Sequence, residues 1–153
     1  MKREEGLTLI ELVTVLAIFT VIVLIVIPST DFFDATRSNV RLTLIAHEVV
    51  KDLRYIQHKS IFERENLYFE IKPDKTGYYI NRYEDDKNIK TKDLPKGIII
   101  EKNIQKEIRF NQMGVPSTGG CTITLKNNKK EIYITVLPAT GRIMIKGNRD
   151  VQN

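Results

Sequence analysis

Residues Leu7–Ile27 read LTLIELVTVLAIFTVIVLIVI, a largely apolar run with a single charge, Glu11. As a helix with a rise of about 1.5 Å per residue, this run would span about 31 Å, close to the hydrocarbon thickness of a bilayer. A carboxylate at the centre of such a segment costs about 2.5–3.5 kcal/mol, and less near its end. The run therefore predicts a membrane-spanning helix in which Glu11 needs a partner that the helix does not itself provide.

The residues before this run are charged and end in glycine. Lys2 and Arg3 place the N-terminus in the cytoplasm and the remainder of the chain outside, because basic residues stay on the cytoplasmic side of a span. If the chain were cut after Gly6, Leu7 would carry a new amine about one helical turn from Glu11. Such an amine is the nearest cation that could neutralise the carboxylate.

Two ordinary interpretations of the same run stay open. A secretory signal peptide has an apolar core of about 7–15 residues and a small-residue cleavage site. The uninterrupted run Leu12–Ile27 is slightly longer than that core, and the residues after it lack an Ala-x-Ala pattern. A plain membrane anchor accounts for the length, but it accounts for neither Gly6 nor Glu11.

Residues 2–12 resemble the processing site of type IV prepilins and type II secretion pseudopilins. In that family a membrane peptidase, the prepilin peptidase, cuts after the glycine and N-methylates the next residue. The resemblance implies that Gly6 is the cleavage residue, that Leu7 becomes the methylated N-terminus, and that Glu11 pairs with the amine of a neighbouring subunit during assembly. Leu7 departs from the phenylalanine that is most common there. Pro28, which we expect to kink the helix, falls where major pilins often carry a proline.

The helical pattern continues beyond Pro28. Apolar residues recur every three or four positions, which is typical of an amphipathic helix. They are Leu42, Ile45, Ala46, Val49, Leu53 and Ile56. We therefore predict one long helix from Leu7 to about Ser60, whose first half packs against lipid or copies of itself and whose second half lies against a sheet. The predicted organisation is a leader at residues 1–6, a transmembrane and assembly helix at 7–28, and an extracytoplasmic domain at 29–153.

After Arg64 the apolar period changes to two, which indicates strands. Leu67–Ile71 and Tyr78–Tyr83 flank the turn residues Pro73–Gly77 and predict a hairpin. The charged stretch Glu84–Asp93 is predicted to be an exposed loop. Further predicted strands are Ile98–Glu101, Glu107–Phe110, Cys121–Leu125, Glu131–Leu137 and Arg142–Ile145. The expected fold is α+β, a long N-terminal helix packed on an antiparallel β-domain, as in pilins.

The C-terminal half resembles a narrower group, the GspH/FimT-type pseudopilins and minor pilins. The order shared with that group is a strand ending in phenylalanine, a glycine loop, two strands and a closing Gly-Arg. The matching residues are Ile108–Asn111, Gly114, Gly119, Gly120, Ile132–Val136 and Thr140–Ile143. The resemblance implies a subunit at or near the tip of a filament.

Catalytic chemistry has little support in the sequence. His47 and His58 are eleven positions apart, about 16 Å along a helix, so they cannot bind one metal ion. Cys121 is the single cysteine, which excludes an intrachain disulfide, and it has no partner at a metal-ligand spacing. We expect no enzymatic activity, no cofactor and no metal site.

The positive charge of the chain is concentrated in its last part. Residues 94–153 contain 10 basic and 4 acidic residues, a net charge of +6. A polyanion such as DNA could bind there, although a solvated surface accounts for the charge equally well. The candidate DNA contacts are Lys126, Lys129, Lys130, Arg142, Lys146 and Arg149.

Two functions therefore stay open. The first is a minor pilin or pseudopilin that contributes to filament initiation or tip assembly with other pilins. The alternative is a DNA-binding minor pilin of a competence pilus. In both, the subunit is a single-pass protein of the cell membrane, held by Leu7–Ile27, that later enters a pilus or pseudopilus.

We expect the mature chain to begin with N-methylated Leu7, because processing after Gly6 removes the leader and methylates the new amine. Intact-mass measurement or Edman degradation of the mature protein checks this. A chain that begins at Met1, or near Thr30 as after signal-peptide cleavage, would contradict the prepilin interpretation.

Overall fold

The computed structural model describes the backbone of residues 8–26 and 30–150, with side chains for residues 8–24 and 37–146. The predicted cleavage site at Gly6 and Leu7 and the predicted kink at Pro28 lie outside the described residues. Two compact units divide the chain between Thr36 and Arg37, and each is considered by itself.

Helix α1, Leu9–Val26, makes up most of the first unit. Its large apolar side chains are exposed, from Leu9 at 80% to Leu24 at 72%. The hydroxyls of Thr14 and Thr20 donate to backbone carbonyls four residues earlier, at 2.7 and 2.8 Å. Both hydroxyls are thus satisfied inside the helix, so α1 presents an almost wholly apolar surface.

Among the described residues, no helix is both long enough and apolar enough to cross a membrane.

Helix α2, Thr30–His58, carries the buried stripe that the sequence predicts. It continues into a π-helical turn, Lys59–Glu63, and Arg64 ends it in the left-handed conformation with φ of 54°. Such a residue closes a helix by turning the chain out of its axis. The buried residues of the stripe are Leu42, Ile45, Ala46, Val49, Val50, Leu53 and Ile56, and they share one core with residues of the β-strands.

The strands form two antiparallel four-stranded sheets. The first sheet has the order β3-β2-β1-β5, and its strands are Asn88–Asp93, Gly77–Arg82, Leu67–Ile71 and Ile108–Arg109 in that order. The predicted hairpin is confirmed as β1 and β2, with Leu67 opposite Arg82 and Ile71 opposite Tyr78. The expected α+β fold, a helix packed on antiparallel sheet, is therefore confirmed.

The second sheet has the order β4-β6-β7-β8. Its strands in that order are Ile99–Lys102, Cys121–Lys126, Lys130–Val136 and Ile143–Asp150. Buried and partly exposed residues alternate along β6 and β7, so one face of this sheet contributes to the core. Strand β8 runs five residues beyond the predicted end at Ile145.

The prediction that Glu84–Asp93 is a loop is wrong for its second half. Residues Asn88–Asp93 form β3, an edge strand that pairs with β2. The sequence of this strand lacks alternating apolar residues because lysines occupy the alternate positions, with Lys90 opposite Ile80 and Lys92 opposite Tyr78. Charged edge strands of this kind are stable when their side chains find partners, and they resist pairing with other chains.

Helix α2 supplies those partners. Lys90 Nζ lies 2.7 Å from Asp52 Oδ2, and Lys92 Nζ lies 2.8 Å from Glu48 Oε1. Asp52 is buried, and its Oδ2 also accepts a 2.6 Å hydrogen bond from the Tyr78 hydroxyl. Burial and the adjacent carboxylate raise the pKa of Tyr78 well above its usual value, so this hydroxyl stays a donor. The edge strand is thus fastened to the helix by buried and half-buried charges.

Two further side-chain hydrogen bonds hold the helical segment to the β-domain near its two ends. Asn127 Nδ2, in the turn between β6 and β7, donates to Ser38 Oγ at 3.0 Å. Ser60 Oγ, in the π-helical turn, donates to the Phe110 carbonyl at 2.8 Å and is buried. Because these contacts join residues far apart in sequence, they fix how α2 lies across the sheets.

We expect Asp52→Ala to lower the free energy of unfolding by about 2–3 kcal/mol, because it leaves the Tyr78 hydroxyl and Lys90 without their shared acceptor. Glu48→Ala is the control, since it breaks the more exposed pair with Lys92 and should cost less than about 1 kcal/mol. Urea unfolding of the detergent-solubilised chain measures both changes. Equal losses from the two substitutions would contradict the role given to Asp52.

Candidate assembly site

The first turn of α1 contains a closed hydrogen-bonded ring between Thr8 and Glu11. Glu11 Oε2 accepts from the Thr8 backbone N–H and from the Thr8 hydroxyl, both at 2.9 Å. The Thr8 hydroxyl oxygen in turn accepts from the Glu11 backbone N–H at 3.4 Å. This is a capping box, in which a threonine before the helix and a glutamate three residues later satisfy the free N–H groups of the first turn.

The capping box corrects the expectation that the helix provides no partner for Glu11. A Thr-x-x-Glu spacing is visible in the sequence, and the signal was available there. However, both of these hydrogen bonds are accepted by one carboxylate oxygen, Oε2. Within the described residues, Glu11 Oε1 forms no hydrogen bond, and an ionised carboxylate accepts about four bonds. Within that part of the chain, Glu11 is thus oriented by its own helix through Oε2 alone.

The surroundings of Glu11 on α1 are apolar. The large exposed side chains that follow it along the helix are leucine, valine, isoleucine and phenylalanine, with Phe19 63% exposed. Glu11 is the single acidic residue of α1, and no basic residue occupies its last turn. A single charge near the end of an apolar helix favours one axial alignment with neighbouring helices, the one in which the charge meets a partner. In any other alignment the charge lies among hydrocarbon side chains.

Helix α2 also exposes several apolar side chains on the side away from its buried stripe. Val40 and Leu44 are 54% and 62% exposed, and Tyr55 is 42% exposed. Spacings of four and eleven residues place these three side chains on one face of the helix. Phe62, in the following turn, is 71% exposed and stacks on His58 with ring centroids 4.5 Å apart. Exposed Lys51 lies between Leu44 and Tyr55 on the same face, so this surface of α2 is a mixture of apolar and charged side chains.

The glycine loops singled out by the C-terminal resemblance meet at one side chain of α2. Gln57 Nε2 donates to the carbonyls of Gly114 and Gly141, at 2.6 and 3.0 Å. Gly141 has φ of 64°, and a Cβ there would lie 1.9 Å from the Gly114 carbonyl oxygen. Only glycine fits this close approach, so both loops are held against the helix.

The six cations predicted to contact DNA do not gather in one patch. Lys126, Lys129 and Lys130 lie around the turn between β6 and β7, whereas Arg142 precedes β8 at the opposite end of β7. The seven residues of β7, at about 3.3 Å each, separate the two groups by about 20 Å. Arg142 is therefore apart from the cluster at the turn, and Lys146 and Arg149 lie along β8 between the two, opposite Tyr133 and Glu131.

One of these cations is held in an ion pair. Lys126 Nζ pairs with Glu101 Oε2 at 3.1 Å. Lys146 lies on β8 opposite Tyr133, and the side chain of Arg149 falls outside the described residues. A DNA interface stays a prediction that the arrangement of these side chains does not strengthen.

Metal-binding and nucleophilic groups are sparse. Within the part of the chain that the structure describes, no group of three or more His, Cys, Asp or Glu side chains could hold a metal ion. Cys121 is buried. Burial raises the pKa of its thiol to about 11, while Lys102 acts in the opposite direction. The thiol is thus protonated near neutral pH and has little nucleophilic character.

Residues 1–27 match a family described as the prokaryotic N-terminal methylation motif. The fold is similar to that of the type IV minor pilin FimU of Pseudomonas aeruginosa, with a TM-score of 0.61 and 15% identity over 72% of this chain and 91% of that one. The chain carries a prepilin-type N-terminus on a minor-pilin fold. It is also similar to the minor pseudopilin EpsH from the type II secretion system of Vibrio cholerae, with a TM-score of 0.58 and 12% identity over 73% of this chain and 97% of that one.

No curated protein sequence matches the chain. At identities of 15% and 12%, the solved structures show a common fold only. The sequence match itself is confined to the N-terminal motif. The recognition of a prepilin-type motif followed by a pilin-like domain is therefore confirmed.

We expect Thr8→Val to loosen the first turn of α1, because it removes the hydroxyl that both donates to Glu11 Oε2 and accepts from the Glu11 N–H. Loss of such a cap costs about 1 kcal/mol, so the Glu11 amide should exchange about fivefold faster with solvent. Thr8→Ser keeps the hydroxyl and is the control. NMR hydrogen exchange in detergent micelles measures the difference, and identical rates in the two variants would count against the capping box.

Proposed function

We propose that this protein is a minor pilin or pseudopilin subunit of a type IV pilus-like or type II secretion filament. The observation that carries the proposal is α1, an exposed apolar helix with one oriented carboxylate, directly following a prepilin-type leader. An apolar surface of this kind is stable in lipid or against other apolar helices, and it is costly in water.

The proposed life of the subunit follows from its N-terminus. Prepilin peptidase cuts between Gly6 and Leu7 and methylates the Leu7 amine, and the segment Leu7–Ile27 holds the subunit in the cell membrane. Lys2 and Arg3 keep the N-terminus on the cytoplasmic side, and the domain from residue 29 onward lies outside. The subunit then leaves the membrane and joins the filament with other pilins or pseudopilins.

Apolar packing alone does not set the position of α1 in a filament. Lipid tails are as apolar as leucine, so moving α1 from lipid into a helix bundle gains little from the hydrophobic effect. A charge pair between Glu11 and the Leu7 amine of a neighbouring subunit supplies the missing specificity. Glu11 Oε2 is held by Thr8 in the separate subunit, so Oε1 is the atom that meets the incoming amine.

The capping box lowers the free-energy cost of holding the Glu11 carboxylate in the membrane before assembly. A carboxylate in the membrane without partners costs about 2.5–3.5 kcal/mol at the centre, and two hydrogen bonds from Thr8 offset part of that cost before assembly. The subunit can therefore rest in the bilayer and still gain free energy when the amine arrives. The resemblance of the C-terminal half to GspH/FimT-type subunits supports a place at filament initiation or at the tip.

We expect Glu11→Val to leave the subunit in the membrane fraction but to reduce its recovery in sheared filaments about tenfold or more, because the charge pair that sets the register is lost. Thr14→Val is the matched control, since it removes a polar group from the same helix without touching the carboxylate. Quantitative immunoblotting of membrane and filament fractions measures both variants.

Three outcomes of that experiment are informative. Loss of Glu11→Val from filaments alone supports the pairing role. Normal recovery in filaments would contradict the role of Glu11, and loss of both variants from the membrane fraction would contradict the anchoring role of α1.

A further inference from the structure

Strand β8 forms an open edge of the second sheet. The sheet order places β8 outermost, paired only with β7. The Leu137 N–H donates to the Arg142 carbonyl at 3.0 Å, so this carbonyl faces β7, while the Arg142 N–H donates to the Thr140 hydroxyl at 3.3 Å. Because these groups alternate in direction along an antiparallel strand, the N–H and C=O of Ile143 and Ile145 point away from the sheet. No described residue hydrogen-bonds to them.

The other sheet edges in the described part of the chain are protected. Strand β3 is protected by its lysines and their ion pairs with α2. On β4, the Ile100 N–H donates to the Lys75 carbonyl at 3.0 Å. Strand β5 is two residues long. Strand β8 has eight residues and begins Ile-Met-Ile, so it is the kind of edge that pairs with another chain.

A groove of about 610 Å³ runs beside this open edge. One wall is α2 and the other is the start of β8. The lining residues are His47, Val50, Arg54, Gln57, Arg142, Ile143, Met144 and Ile145. The lining includes two arginines and a histidine but no carboxylate, so the groove is complementary to negative charge.

Arg54 and Arg142 are both exposed. Neither forms an ion pair with a described residue, although many of the other cations of the domain do. An arginine guanidinium binds a carboxylate through two parallel hydrogen bonds, which gives direction as well as affinity. The two guanidinium groups lie beside the outward-pointing N–H and C=O groups of Ile143 and Ile145. A ligand that suits this groove therefore has both carboxylates and a peptide backbone.

We propose that the groove between α2 and β8 binds an extended, acidic segment of another protein chain, which adds to the edge of β8 as a fifth strand. The free N–H and C=O groups of Ile143 and Ile145 pair with the backbone of that segment. Its carboxylates pair with Arg54 and Arg142, and its apolar side chains contact Val50 and neighbouring residues. A nucleic acid could use the two arginines, but it cannot form a ladder of backbone hydrogen bonds with a strand.

The test uses the full-length chain in detergent micelles and a short fluorescent peptide of alternating glutamate and valine. Three other probes are compared with it: the lysine–valine peptide, the same glutamate–valine peptide with every backbone nitrogen methylated, and a single-stranded oligonucleotide. The methylated peptide keeps the charge but cannot donate to a strand. Fluorescence anisotropy measures binding, and NMR hydrogen exchange follows the Ile143 and Ile145 amides.

We expect the glutamate–valine peptide to bind and to slow exchange at both amides, while the lysine and methylated peptides bind at least about tenfold more weakly. The double substitution Arg54→Glu and Arg142→Glu should weaken binding about tenfold or more. Arg41→Glu with Lys96→Glu makes the same charge change on exposed residues outside the groove and should leave binding unchanged.

Three results would overturn the proposal. Equal binding of the methylated peptide, or of the oligonucleotide, without slower amide exchange would identify a general anion groove. Equal weakening by the control pair would identify attraction to the net charge of the domain. No binding of the glutamate–valine peptide would remove the site altogether.

Discussion

The buried stripe of α2 holds the β-domain together, because both sheets turn apolar side chains toward the core that it completes. Leu53 and Ile56 are fully buried there with residues such as Phe69 and Ile134, one from each sheet. Truncating one such leucine to alanine typically costs about 2–5 kcal/mol, a large share of a domain's usual stability of about 5–15 kcal/mol. The polar contacts of Asp52 then fix a charged edge strand to the same helix.

The two helices differ in what their apolar side chains contact. Helix α2 buries one face and completes a domain, whereas the described large apolar side chains of α1 are exposed. An exposed apolar helix needs either lipid or other apolar helices around it, and the proposed function gives α1 both in turn. In the proposed assembly Glu11 supplies the axial position that apolar packing lacks, and the two hydrogen bonds from Thr8 orient its carboxylate.

The sequence predicts most of this account, and its failures have physical causes. The stripe of α2 follows from apolar residues spaced three or four positions apart, and the first hairpin follows from apolar residues at every second position. The motif around Gly6 is specific because its residues stand at fixed offsets. Strand β3 was predicted as a loop because Lys90 and Lys92 occupy its core-side positions, where their partners come from a helix distant in sequence. The open edge of β8 is a property of strand order, which periodicity does not encode.

The most direct measurement of the central claim, that the exposed surface of α1 is an assembly surface, is photo-crosslinking from a photoreactive residue at Phe19 in native filaments. The account predicts mass-spectrometric crosslinks to the apolar N-terminal helix of a neighbouring subunit. The same residue placed at Ile89, on the edge strand β3, should give no crosslink to such a helix. Adducts from position 19 to lipid alone, or to β-domains alone, would contradict the account.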